Sequence, residues 1–268
     1  VDSYDIPITL RQLFYRLVVE QLIPNTQQAY KTLSAKTAKP RRRGEFPALF
    51  DAGRSIRKPL AWTSPADAID WVARSYRVDR AATQPVSLWL GVEKNALAGL
   101  MQEWFRDLGV PVLPLGGYSS ESLERDVLRE IRDDGRKAVL IYAGDFDASG
   151  MDIGRSFIET TGCWDEAIRI GLSEELIEAH DLVVQAGKVT DSRAPGFIAR
   201  HPEIHAAHDF GHIGGKRVPV QVELDALDPV DLQQLFVDAI GIFWDEPAYE
   251  AQITQEDADR DVLEELRD

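Results

Sequence analysis

The sequence predicts an α/β protein: a small helical unit over residues 1–80, then a domain with a mainly parallel sheet over 81–268. Three observations predict it. Strand-like and helix-like patterns alternate from residue 86 to residue 162. Before them, apolar residues recur at helical spacing. The charge also divides. Residues 1–80 carry 14 Lys+Arg and 8 Asp+Glu, a net of +6, while residues 81–268 carry a net of −21, within an overall −15. A basic part joined to an acidic one indicates two units with different partners.

The 268 residues are 44% hydrophobic, enough for a sizeable core. The one cysteine, Cys163, excludes an internal disulfide and fits a reducing cytoplasm. No apolar run reaches the roughly 18–20 residues of a membrane span. No signal-peptide pattern opens the chain. The expectation is a cytoplasmic protein with no membrane partner.

ITLRQLFYRLVVEQL at 8–22 reads as a helix capped by Thr9, with Leu10, Leu13, Phe14, Leu17 and Val18 forming its apolar stripe. Pro24 ends it. TQQAYKTLSAKTA reads as a second helix, capped by Asn25 or Thr26. KPRRRGEFP reads as a basic hairpin or loop, because Pro and Gly punctuate it. PADAIDWVARSY is a third helix, and AATQP near 81–85 a linker. Helix, turn, helix and basic wing are the outline of a winged-helix DNA-binding domain. Arg41, Arg42 and Arg43 are its best phosphate contacts; a flexible basic loop is the plain alternative.

VSLWLGVE is then a strand and NALAGLMQEWFRDLG an amphipathic helix. VPVLPLGG is a strand, and SESLERDVLREIRDDG a helix starting at Ser119 or Ser120. KAVLIYAGDFD is a strand and ASGMDIGRSFIETTG a helix. In such sheets chemistry gathers at the carboxyl ends of the strands. Glu93 ends the first strand, and Asp145 and Asp147 end the third. Strand alternation aims Asp145 and Asp147 the same way. Like charges held that close call for a cation between them, and a hard divalent ion such as Mg²⁺ takes such oxygens. Asp147 as a simple helix cap leaves Asp145 and Glu93 unexplained.

VEKNAL at 92–97 and DFDASG at 145–150 resemble the two signatures of the Toprim fold, shared by topoisomerases, primases and some nucleases. The resemblance implies that Asp145 and Asp147 ligate Mg²⁺, with Glu93 a further ligand or the general acid–base group. ITLRQLFYRL resembles the Arg-x-x-[Phe/Tyr]-Tyr motif of the topoisomerase VI A subunit and the related meiotic break-forming transesterases. The order of a winged helix before a Toprim domain is that family's too. The resemblance implies that Tyr15 is the tyrosine that attacks DNA, with Arg11 the motif arginine. It implies a homodimer in which the tyrosine of one protomer works with the Toprim metal site of the other, making double-strand breaks with 5′-phosphotyrosyl ends. LGGYSSESLERD at 115–126 loosely resembles the family's Gly-x-Gly-Tyr-Pro segment, with Ser119 in place of the proline. The family docks an ATPase B-type subunit through an N-terminal extension. Only a few residues precede the first helix here, so the resemblance carries that partner less far.

On the helix, Tyr15 lies about 130° from the centre of the apolar stripe, off that helix's core. Arg11, four residues earlier, shares its face. A phenol with pKa near 10 needs help to attack, and a guanidinium can stabilise the charge that develops. The alternative is a tyrosine packed on the second helix or on the following domain. Two other functions stand beside the transesterase: a metal-dependent nuclease using water, and a non-catalytic DNA-binding factor.

His201, His205, His208 and His212 lie in a loop-like HPEIHAAHDFGH without cysteine, a poor zinc site. Lys216 and Arg217 are a weak DNA-contact signal. Glu223 and Asp225 could extend the acidic site, although an edge strand with solvated acids is the preferred reading. The acidic tail reads as a frayed helix.

Overall fold

Residues 4–51, 58–117 and 120–265 are described by a computed structural model. The centre of the fold is a four-stranded parallel sheet in the order β2-β1-β3-β4. Its strands are β1 (Val86–Val92), β2 (Val112–Pro114), β3 (Lys137–Ala143) and β4 (Glu166–Arg169). Leu90 pairs with Val112 on one side and with Ile141 on the other. VSLWLGV and KAVLIYA are nearly continuous apolar runs, as parallel strands covered on both faces require. Helices α4 (Asn95–Trp104), α5 (Glu121–Asp134) and α6 (Gly150–Thr161) make the crossovers.

Alternate strand residues feed two cores. Leu88, Leu90 and Val92 join Val139, Ile141, and Leu97, Leu100 and Met101 of α4. Trp89, Leu140 and Tyr142 join Val127 and Ile131 of α5 and Ile153 and Phe157 of α6. The α/β fold with its parallel sheet is therefore as the sequence predicts.

The N-terminal part holds α1 (Leu10–Val19), α2 (Gln27–Arg43) and α3 (Pro65–Ser75). Thr9 and Gln12 cap α1 reciprocally. The basic segment is not a hairpin. Helix α2 runs through Pro40 to Arg43 and stops at Gly44, whose φ of 70° suits only glycine at no steric cost. A proline in the last turn removes one helical hydrogen bond and leaves the rest of the helix standing. Helix α1 packs on α2 and on the 3₁₀ turn Leu224–Ala226, while α3 packs on the last helix.

The remaining elements are α7 (Glu174–Ala179), β5 (Gln185–Ala186), α8 (Ala194–Arg200), α9 (Pro202–Ala207), β6 (His212–Ile213), β7 (Lys216–Arg217), β8 (Val220–Gln221), α10 (Pro229–Gly241) and α11 (Glu246–Glu265). The histidine segment read as a loop therefore contains α9, with Pro202 at a helix start where its missing N–H costs nothing. The tail read as frayed is α11, anchored by the fully buried Glu256. The linker is docked as well: Gln84 is buried and exchanges two hydrogen bonds with the Asp245 backbone, at 3.0 and 2.7 Å. Tyr118 and Ser119, the centre of the Gly-x-Gly-Tyr-Pro-like segment, lie outside the described residues. Among the described residues no helix is long and apolar enough to cross a membrane.

Candidate functional site

β1 and β3 end side by side, with Val92 paired to Ala143. The chain leaves β1 for β2 on one side of the sheet and continues from β3 to β4 on the other. This is a topological switch point, where a crevice opens beyond the strand ends. Glu93 follows β1, and its Oε2 accepts the Asp145 N–H at 3.1 Å.

The strand expected to carry Asp145 and Asp147 stops earlier, at Ala143. Phe146 instead makes an isolated antiparallel bridge with Val222. That bridge brings residues 223–225 against the strand ends, where Asp145 Oδ1 accepts the Leu224 N–H at 2.8 Å. Glu223 and Asp225 are thus part of the acidic site, with side chains 14% and 4% exposed, and are not solvated acids on an edge strand.

The two aspartates of the motif face different partners. Asp147 Oδ1 accepts from Ser149 N at 2.9 Å, Ser149 Oγ at 3.0 Å and Gly150 N at 2.7 Å, so it caps the start of α6. Asp145 points into the cluster. Burial pushes its pKa up to about 7, reinforced by Glu93 and Glu223 and opposed by Lys94. Burial also raises Glu93, with the Asp147 and Glu223 charges adding to it. For Glu223 burial alone would raise the pKa, but Lys94 and Arg11 hold it below the usual carboxylate range. Gly150 ends the motif because a Cβ there would lie 2.4 Å from Asp145 O and 2.9 Å from Glu93 Oε2.

Lys94 was not singled out from the sequence, although it directly follows Glu93. Its Nζ lies 3.0 Å from Asp145 Oδ1, 2.5 Å from Glu223 Oε2 and 3.0 Å from Asp225 Oδ2. Burial disfavours its charge, but these carboxylates overcome that and hold the ammonium protonated. Among the described residues no three Asp, Glu, His or Cys side chains stand ready to hold an ion in this arrangement. The donors nevertheless fit a hard cation: they are carboxylate oxygens, and an ammonium already sits among them as a stand-in ion. Asp145, Glu93, Glu223 and Asp225 fit best; Asp147 has one oxygen committed to its cap.

Tyr15 is 4% exposed, a core position and not an off-core one. It packs with Phe14, Val18 and Ala226, beside Val183. The helical wheel placed it wrongly because α1 is covered on several sides, by α2 and by the Leu224–Ala226 turn. Its hydroxyl accepts from Gln185 Nε2 at 3.4 Å. Burial raises its pKa and Glu223 adds to that, while Arg11 and Lys94 oppose it. Arg11 does share its face, 5.8 Å over the ring. The Arg11 guanidinium reaches Glu223 at 2.6 Å and Asp225 at 3.2 Å.

A cleft of about 800 Å³ opens beside this cluster, lined by Arg11, Tyr30, Ser34, Arg41, Lys94 and Asp225 among others. Arg41 therefore faces the acidic site. Arg42 is exposed, and Arg43, also exposed, lies 3.8 Å from Glu45. Of the histidines, His201 pairs with Glu174 at 2.6 Å, and His205 is spent on backbone, accepting from Val220 N at 3.0 Å. Fold and site define an α/β protein with a lysine-bridged carboxylate cluster at a strand switch point, beside a cleft lined by charges of both signs. No protein-family model matches the chain, no curated protein matches its sequence, and no solved structure matches it.

Proposed function

We propose that the chain is a Mg²⁺-dependent DNA-cleaving transesterase of the topoisomerase VI A kind, with a Toprim-like sheet domain and a helical N-terminal part in which the end of α2 stands where a wing was expected. The observation that carries this reading is the packing of α1 on the carboxylate cluster. Arg11 pairs with Glu223 and Asp225, and Tyr15 lies one turn further on the same face. The motif arginine thus pairs with the Toprim-like carboxylates and the motif tyrosine stands beside that arginine in the same chain, whereas the resemblance implies that the tyrosine serves the partner protomer's site.

Asp145, with Glu223 and Asp225, would hold the Mg²⁺, and Glu93 would stand beside it as the acid–base group. Bound there, it supplies positive charge for a phosphate oxygen. Arg41 and the α2 terminus would hold the duplex backbone in the cleft. Tyr15 Oη would form the bond to phosphorus as the P–O3′ bond breaks, a step for which its hydroxyl, buried beside Gln185, must first turn out to the duplex, where it gives its proton to water. Glu93, held above the usual carboxylate range, is suited to give a proton to the departing 3′ oxygen. Each chain then carries one 5′ end, and a homodimer cuts both strands.

Hydrolysis by water is the second reading, and the burial of Tyr15 favours it. End-labelled duplex DNA with Mg²⁺, run on denaturing gels with and without protease, separates the two. Wild type should yield protein-linked 5′ ends, and Tyr15→Phe neither cuts nor adducts. Cuts by Tyr15→Phe with protein-free ends establish hydrolysis. Wild type that neither cuts nor links DNA, alone or with an ATPase encoded beside it, overturns both and leaves a DNA-binding factor.

A further inference from the structure

The cation inside the carboxylate cluster is a side chain of this protein. Lys94 Nζ is bonded by Asp145 from the end of β3 and by Glu223 and Asp225 from the segment bridged to it. Lys94 is 24% exposed along its side chain and also lines the cleft with Arg11, Tyr30 and Arg41. It therefore borders two environments, the carboxylates and the open cleft. Its stem is a flexible four-carbon chain ending in a point charge, which moves between partners more readily than a guanidinium fork.

We propose that Lys94 is an exchangeable counter-cation: its ammonium holds Asp145, Glu223 and Asp225 together until it yields their oxygens to a divalent ion and turns to an anionic backbone in the cleft. This rests on the reading above that a divalent ion serves the site. It adds Glu223 and Asp225 to the carboxylates that carry the ion, and it makes Asp147 a structural cap. The exchange is favourable because a double charge among hard oxygens gains more Coulomb energy than a single one. It also accounts for the lack, among the described residues, of three carboxylates free to take an ion: Lys94 and Arg11 occupy their oxygens. Charge neutralisation continues on the other side of the cleft, since the released ammonium joins Arg11 and Arg41.

The test is Mn²⁺ binding to the full chain without DNA, read as loss of the free-ion paramagnetic resonance signal. Lys94→Gln removes the competing charge and should bind Mn²⁺ roughly tenfold or more tightly than wild type. Asp225→Asn should weaken binding about tenfold, and Asp147→Asn by less than about threefold. Equal or weaker binding by Lys94→Gln overturns the proposal, as does a larger loss in Asp147→Asn than in Asp225→Asn. Should Lys94→Gln fail to fold, Lys94→Arg keeps the charge and should bind no more tightly than wild type; tighter binding overturns the exchange. Wild type that cuts DNA in Mg²⁺ while Lys94→Gln gains nothing sinks the exchange alone. Absence of both Mn²⁺ binding in every variant and of DNA cleavage sinks the functional reading with it.

Discussion

Asp145 and Asp147 differ by two positions and do different work. Asp147 satisfies the start of α6 through three hydrogen bonds to one oxygen. Asp147→Ala should therefore cost about 1–2 kcal/mol of stability, and Asp147→Asn only a fraction of that, because Asn still accepts at the cap. Urea denaturation of the two variants would show the difference. Asp145→Asn removes a buried charge and keeps an acceptor for Leu224 N–H, so its melting temperature should hold while Mg²⁺-dependent cleavage disappears. His205 makes a pH prediction at the same scale. Its imidazole is buried, donates to His201 O and accepts from Val220 N–H, so only the neutral form satisfies both. Burial lowers its pKa, with Arg217 and His201 adding to the effect. The unfolded chain then binds the proton more readily than the folded one. Stability should fall as pH drops through about 6.5, and His205→Gln should flatten that fall in denaturant titrations at pH 7.5 and 5.5.

Two helices decide how the N-terminal part meets the rest. Helix α1 is tied at one end by Arg11 to Glu223 and Asp225 and at the other by Arg16 to Asp228, at 2.7 Å. The stripe read from the sequence was real in Leu13, Phe14 and Val18, but Leu10 and Leu17 are only half-buried and Tyr15 is buried instead. A wheel assumes one covered face, and α1 has several. Helix α2 carries its three arginines in the last turn, where positive charge also complements the helix dipole. Replacing Arg41, Arg42 and Arg43 with Ala should weaken duplex binding across sequences and flatten the salt slope by up to about three. Arg41→Ala alone should give about one of those and the largest single loss, because Arg41 lines the cleft. Fluorescence anisotropy from 50 to 300 mM salt would measure it; equal losses from Arg41→Ala and Arg43→Ala would place the duplex outside the cleft.

Across the whole molecule α11 acts as a strap. Arg80 grips Glu256 with two hydrogen bonds, at 2.8 and 2.7 Å, Arg260 joins the same carboxylate, and Tyr76 reaches Asp259 at 2.7 Å. These contacts tie the segment between α3 and β1 to the chain's last helix. Glu256→Ala leaves Arg80 with only the exposed Asp107 carboxylate, 3.4 Å away, and should cost about 3 kcal/mol, roughly 6–12 °C in melting temperature. Calorimetry of the full chain would check it, and a shift below about 2 °C would show that the strap carries little of the stability.

The sequence by itself determined the parallel sheet, because runs such as VSLWLGV and KAVLIYA have no exposed face to offer water, and helical repeats between them leave one way to cover both sides. It put Glu93 just beyond β1 and Asp145 and Asp147 just beyond β3, since that depends only on residue order, but it did not determine the turn after Ala143 that sends the two aspartates to different partners. Gly150 was legible as the end of a motif, and its reason became visible in the fold as the close approach of Asp145 O and Glu93 Oε2. The tertiary structure alone decided the rest of the site. Phe146 pairing with Val222 is a contact between residues 76 positions apart, and it brings Glu223 and Asp225 to the strand ends. No local pattern encodes that pairing. It likewise decided that Tyr15 is buried and that Lys94 fills the cluster, because burial and ion pairing depend on which segments meet, and those meetings are settled by packing across the whole chain.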